Sequence, residues 1–230
     1  MSERQHDRDA TDGLASGPAT PADPARSRRL WWEFVAGYWK RFENIGLDPA
    51  HLEHFLVRLQ APVAVIGAGH GLLVEHLQSN GLHCVGLDWS VRMARSAVQR
   101  RGISVSVGDA RALPFADRAF RSVVIATGIL DPRHPPGDGS RVLSEAARVL
   151  DREGVLLAAF FVPNQQMRQE LGERPDQTSI SQHLPPNVPA PFADERPVVE
   201  LIENRQLRCV DHALDIEHGL GALLAVHDRD

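Results

Sequence analysis

The passage VAVIGAGHGLLVEHL, Val63 to Leu77, constrains the fold more than any other part of the chain. Its first four residues are apolar without interruption, as in a strand covered on both faces. Gly67, Gly69 and Gly71 follow at alternate positions, and the pattern then turns helical from Gly71 to Ser79, with Leu72, Leu73, His76 and Leu77 on related faces and Asn80-Gly81 as a stop. A strand that runs through glycines directly into a helix opens a β-α-β unit, and the next strand must lie parallel to the first. The alternation continues: LHCVGLD reads as a strand, SVRMARSAVQR as a helix capped by Ser90, and ISVSVGD and FRSVVIA as strands three and four. GSRVLSEAARVL reads as a helix, GVLLAAFFV as a fifth strand and PVVELIEN as a last helix. Then LRCVDHALDI and GALLAVHD are joined by a short Glu-His-Gly turn, which makes them an antiparallel hairpin. The expectation is an α/β protein, a doubly wound parallel sheet with a hairpin at one edge.

Two segments stand outside that alternation. Residues Met1 to Ala25 are rich in Asp, Ala, Pro, Gly and Ser and lack apolar periodicity, which predicts a disordered tail over 1–29 that ends in Arg26, Arg28 and Arg29. From Leu30 the chain places Trp31, Phe34, Val35 and Tyr38 at helical spacing, and DPAHLEHFLVRL reads as a second helix with Asp48 as cap and Pro49 at its first position. Residues 30–60 are thus expected as cap helices, ahead of a main domain over 61–230. Residues 163–197 hold seven prolines and little periodicity beyond a short helix near Gln165–Leu171. They follow the carboxyl end of the fifth strand, where open α/β sheets bind ligands, so they read as a lid inserted in the main domain.

Composition excludes several classes of function. Lys and Arg number 25 against 30 Asp and Glu, a formal charge of −5, which is not the footprint of a nucleic-acid binder. No apolar run approaches the roughly 20 residues that span a bilayer. The N-terminus has no apolar signal core, so a cytoplasmic protein is expected. The two cysteines, Cys84 and Cys209, lie in apolar strand-like runs and read as core thiols. His51 and His54, and separately His212, Asp215 and His218, lack the geometry of a metal set, and no metal is expected.

The glycines permit close approach of a ligand to the backbone, and the helix that follows offers free N–H groups. Asp88 ends the second strand about 20 residues later, where a carboxylate accepts from ribose hydroxyls. These two features serve a dinucleotide and other adenosine cofactors alike. The dinucleotide fingerprint G-x-G-x-x-G needs a third glycine where this chain has Leu72. That weighs against an NAD-dependent oxidoreductase. Gly108-Asp109-Ala110, after the third strand, adds a carboxylate for an exocyclic amine and an N–H for a ring nitrogen.

Together, GAGHG, VGLDWSVRMARSA, GDARALPFADRAFRSVV and EAARVLDREGVLLAAFF resemble motifs of the class I S-adenosylmethionine-dependent methyltransferases, of small-molecule type, over Val63 to Val162. The resemblance implies a Rossmann-like sheet of seven strands in the order 3-2-1-4-5-7-6, with strand seven antiparallel. It implies S-adenosyl-L-methionine as cofactor and in-line methyl transfer to a small-molecule acceptor. The expected partner is thus a small molecule, without nucleic acid or membrane, and the expected assembly is a monomer or homodimer. Gly67, Ala68, Gly69 and Gly71 would line the methionine part, Asp88 would hold the ribose, and Trp89 and Met93 would flank the adenine. Asp109 and Ala110 would read its edge, Thr127 and Gly128 would lie beside the sulfonium, and Tyr38 would close over the cofactor. The chain departs from the pattern at Val65, where the family usually has an acid, and at His70, Arg121 and the turn Arg152-Glu153-Gly154. The missing acid raises the alternative of a non-catalytic cofactor-binding protein. If the acceptor arrives protonated, a base is needed near the strand ends, and the candidates are His134, Asp131 and His183.

Overall fold

A computed structural model of the chain describes residue 33, residues 49–184 and residues 190–228. The expected tail over 1–29, Tyr38 and most of the first cap helix lie outside these residues. Helix α1 spans Pro49–Leu56, followed by β1 (Val63–Ile66), α2 (Leu72–Ser79), β2 (Cys84–Asp88), α3 (Val91–Arg101), β3 (Val105–Val107) and β4 (Phe120–Ile125). Then come α4 (Asp138–Val149), β5 (Leu150–Phe161), α5 (Gln165–Leu171), α6 (Gln177–His183), α7 (Arg196–Glu203), β6 (Leu207–Asp215) and β7 (Leu220–His227). Among the described residues, one seven-stranded sheet has the order β3-β2-β1-β4-β5-β7-β6. β7 runs antiparallel to both β5 and β6, and the other pairs are parallel.

Side chains of the central strands alternate between two cores, one per face. Ala64, Ile66, Val123, Ile125, Leu156 and Ala158 face α4 and α7, packing with Leu143, Val149, Val198 and Ile202. Val63, Val65, Val124 and Leu157 face α1 and α2, packing with Leu52, Phe55, Leu73 and Leu77. This two-sided burial is why β1 and β4 read as uninterrupted apolar runs.

Three departures from the sequence reading have physical causes. β3 is three residues rather than seven, because it is an edge strand that pairs only with β2, and only over Val105–Val107. β5 begins at Leu150 instead of after the Arg152-Glu153-Gly154 turn, and that turn is absorbed as an irregularity in its pairing with β4. The segment expected as a lid contains a second helix, α6. Asp176 caps it, accepting from the Ser179 amide at 2.8 Å, and its polar sequence has Ile180 as its buried residue. Beyond residues 185–189 the same segment is packed rather than loose. Ala190 and Phe192 are buried, Phe192 meets Phe160 edge-on at 5.9 Å, and its amide donates to the Phe161 carbonyl.

The irregular stretch between β3 and β4 is fastened from α4. Glu145 Oε2 accepts from the Leu113 amide at 2.7 Å. Arg148 donates to the Phe115 carbonyl at 2.8 Å and the Leu113 carbonyl at 3.1 Å while pairing with Glu145 at 2.7 Å. The guanidinium holds the Glu145 carboxyl below the usual carboxylate range. The Leu-Pro-Phe and Glu-x-x-Arg sequences are therefore two halves of one clasp. Replacing Arg148 by Ala is expected to cost about 2 kcal/mol in urea denaturation, since it strands two loop carbonyls and a carboxylate. Arg148→Lys is expected to recover little, because an ammonium cannot fork across these acceptors.

Candidate active site

The carboxyl ends of β1, β2, β3 and β4 open onto one cleft. Its key side chain is Asp88, the last residue of β2 and almost fully buried. One carboxylate oxygen accepts from the Ser90 amide at 2.8 Å and the other from the Gly69 amide at 2.9 Å. The first bond starts α3, which Ser90 itself caps by accepting from the Met93 amide at 3.1 Å. The second holds the glycine loop over the end of β2, where Gly67 and Ala68 also donate to the Leu87 carbonyl. Burial pushes the Asp88 carboxyl up, and the backbone donors oppose that shift. Glu33 adds to the upward push, and its carboxylate accepts from the Val91 and Arg92 amides at the start of α3.

Gly67 and Gly71 are glycines for different reasons. Gly67 has φ +80°, and a Cβ there would lie 2.6 Å from Ile129 Cγ1, so the loop and the turn after β4 close on each other. Gly71 also has φ +80°, and its Cβ would press on Ile103 and Ala97. Gly71 therefore also serves the start of α2 and its packing.

The structure brings Gly67, Asp88, Trp89, Gly108, Asp109, Ala110, Gly128 and His134 to the cleft wall. Leu87, Arg111, Ile129, Asp138 and Val142 join them, and sequence reasoning missed all five. Ala68 and Met93 are buried behind the wall, and Gly69 contributes through its bond to Asp88. Thr127 is half-buried, one residue before Gly128, and is not among the wall residues. Val65 is fully buried among apolar side chains.

The three candidate bases part company. His134 lines both the cleft and a neighbouring groove, which also includes Leu130, Pro135, Phe192, Pro197 and Leu201. Asp131 is buried, and its carboxylate accepts from the Arg133 amide at 2.7 Å and the Ala190 amide at 3.1 Å, tying the lid segment to the loop after β4. His183 pairs with Glu170 at 3.3 Å, between α5 and α6, and is on neither wall.

Two of the histidines read as non-ligands lie against carboxylates: His54 with Asp211 at 3.1 Å and His218 with Asp215 at 2.8 Å. Among the described residues no group of three or more His, Cys, Asp or Glu is placed to hold a metal. Burial raises the pKa of both cysteine thiols, Cys84 buried and Cys209 half-buried.

Residues 64–158 match a family model described as a methyltransferase domain. Over these residues the chain is similar to S-adenosylmethionine-dependent methyltransferase domains of class I. Of curated relatives, the demethylmenaquinone methyltransferase of Renibacterium salmoninarum is 37% identical over 97 residues, 42% of this chain and 39% of the relative. The chain spans less than half the length of the curated relatives it matches. Among solved structures, an S-adenosylmethionine-dependent methyltransferase of Methanosarcina mazei is 20% identical at a TM-score of 0.58, covering 73% of this chain and 92% of that one. The magnesium protoporphyrin IX methyltransferase of Synechocystis PCC 6803, solved with bound S-adenosylhomocysteine, is 16% identical at 0.57, covering 97% and 95%. These two likenesses show the fold, and the sheet order expected from the sequence is the one observed.

The residues present fit the cofactor of such a domain. A ribose needs a fixed acceptor, and the Asp88 carboxylate is fixed by the Gly69 and Ser90 amides. A positively charged sulfur needs a glycine loop free of cations, and His70 meets that condition. Burial, then the charges of Arg100 and Arg101, lower its pKa from 6.5 to about 4, so the methyltransferase domain carries it neutral at pH 7. The shift also predicts a pH dependence. The folded value lies below the unfolded one, so the unfolded chain binds this proton more tightly. The stability contribution is present above pH 6.5 and is lost as pH falls toward 4, by at most roughly 3 kcal/mol. In urea denaturation across that range, His70→Asn is expected to lose less stability on acidification than the parent.

Proposed function

We propose that the chain transfers the methyl group of S-adenosylmethionine to a small, neutral and largely apolar acceptor. The observation that carries this reading is the Asp88 carboxylate, held by the Gly69 and Ser90 amides on the wall of a cleft. In this reading Asp88 holds the ribose hydroxyls. Trp89 covers the adenine with Met93 behind it, Asp109 and Ala110 read its edge, and Gly67, Ala68, Gly69 and Gly71 shape the methionine side. Thr127 and Gly128 lie beside the sulfur.

When bound, the cofactor supplies a methyl carbon already activated by a positive sulfur. The chain's own part is then alignment and water exclusion. The groove next to the cleft suits the acceptor. Leu130, Pro135, Phe192, Pro197 and Leu201 give it apolar walls, with Gln177, Arg196 and Glu200 also among its lining residues. Such walls favour a neutral, flat molecule, in keeping with the demethylmenaquinone for which the curated relatives are named. His134, shared by cleft and groove, is the side chain placed to take a proton from the acceptor. Of the three candidates His134 is the one on both the cleft and the groove, so the base role falls to it.

Residues 30–60 serve as the cap and 163–197 as the lid in this reading. The acceptor is a free small molecule rather than nucleic acid, and the chain works in the cytoplasm as a monomer or homodimer. Among the described residues no helix is long and apolar enough to cross a membrane.

Calorimetric titration tests the cofactor. S-adenosylmethionine and S-adenosylhomocysteine are expected to bind and NAD is not; binding of NAD alone would overturn the reading. Asp88→Ala is expected to weaken cofactor binding by about a hundredfold, from loss of charged hydrogen bonds to the ribose. For turnover, transfer of labelled methyl to a panel of phenols, quinols and amines is measured. There His134→Gln is expected to lower kcat about a hundredfold with cofactor affinity retained. Binding without transfer to any panel member would instead point to a non-catalytic cofactor-binding protein.

A further inference from the structure

Asp109 lies two residues past the end of β3, at the head of the irregular stretch before β4, and no strand pairing fixes its carboxylate. Arg111 fixes it. Its backbone amide and Nε donate to Oδ1 at 2.9 and 3.0 Å, and Nη2 donates to Oδ2 at 2.7 Å. The remaining arm, Nη1, reaches across to Oδ2 of Asp138 at 2.9 Å. Asp138 is the first residue of α4, and α4 is seated in the core through Val142, Leu143, Ala146 and Val149. All three charged residues line the cleft. A planar guanidinium gripping a carboxylate on two edges sets the plane of that carboxylate, and the Asp138 arm sets its distance from α4.

We infer that Arg111 is a positioning residue that makes the cleft select a 6-amino over a 6-oxo purine. The inference rests on the cofactor reading above and names the base selectivity of that site. Two carboxylates share one guanidinium, and Asp109 is one of them. An ionised carboxylate accepts hydrogen bonds and cannot donate them. Aimed at the edge of a bound purine, it rewards an exocyclic amine and opposes an exocyclic carbonyl. Without Arg111 the carboxylate would lose its bidentate hold and the preference would fade. Asp138 contributes at one remove, by holding the far arm of the guanidinium.

The test is calorimetric titration of the full chain with S-adenosylhomocysteine and with its 6-oxo analogue, S-inosylhomocysteine. The parent, Arg111→Ala, Arg111→Lys, Asp138→Asn and Asp109→Asn are compared, with thermal unfolding as a check on folding. The parent is expected to prefer the amino compound by about tenfold or more, the worth of one charged hydrogen bond. Both Arg111 variants are expected to bind S-adenosylhomocysteine about tenfold more weakly and to bring the ratio of the two affinities close to one. Lys cannot restore the ratio, because it lacks the fork. Asp138→Asn is expected to fall between. A merely structural Arg111 would weaken both ligands alike and leave the ratio unchanged, and that result overturns the proposal. If Asp109→Asn loses the preference while Arg111→Ala keeps it, the cofactor site stands and the clamp does not. A parent that binds both compounds equally overturns the base selectivity, and a parent that binds neither overturns the cofactor reading as well. Where Arg111→Ala fails to fold, Arg111→Lys and Asp138→Asn decide the question.

Discussion

The carboxylate of Asp88 joins three parts of the chain at one point. It lies at the end of β2, it holds the glycine loop through the Gly69 amide, and it receives the first turn of α3 through the Ser90 amide. A buried carboxylate pays a large desolvation penalty unless it is well bonded, and the upward push on its pKa records that penalty. Backbone donors offset it, and among the described residues no side-chain cation bonds to it. The loop after β4 then closes from the other side, with Ile129 packed against Gly67 where no Cβ could fit. The cleft is a consequence of those two contacts.

Around that point the domain uses α4 as a rigid reference. Glu145 and Arg148 near its carboxyl end clasp the Leu113–Phe115 stretch, while Asp138 at its amino end holds the far arm of Arg111. The loop between β3 and β4 has no partner strand, so its geometry is borrowed from a helix seated in the core. Motif residues that read as a family signature thus divide by task. Glu145 and Arg148 build the loop, while Asp88, Asp109 and Ala110 line the cleft.

The sheet was legible in the sequence because its central strands are covered on both faces, and such strands appear as unbroken apolar runs. Ser90 and the Asn80-Gly81 stop were legible for an equally local reason, since caps act within a few residues. The glycine spacing and Asp88 pointed to the correct strand ends. What stayed hidden depends on contacts distant in the chain. Nothing local to Arg111 shows that it bridges Asp109 to Asp138, 27 positions further on. Nothing local to Asp131 shows that its carboxylate is taken by the Ala190 amide. His183 suited a base by type alone, and only the folded chain shows it beside Glu170. Helix α6 was missed because a polar helix with one buried residue has no apolar stripe. β3 was overextended because edge strands keep an apolar pattern beyond their paired length.

The central claim is that the cleft at the ends of β1 to β4 holds S-adenosylmethionine through Asp88. A crystal structure of the chain grown with S-adenosylhomocysteine tests it most directly. The account predicts the ribose hydroxyls within hydrogen-bond distance of the Asp88 carboxylate, the adenine against Trp89, and its amine at Asp109. A ligand seated elsewhere, or one in this cleft with its ribose turned away from Asp88, would contradict it.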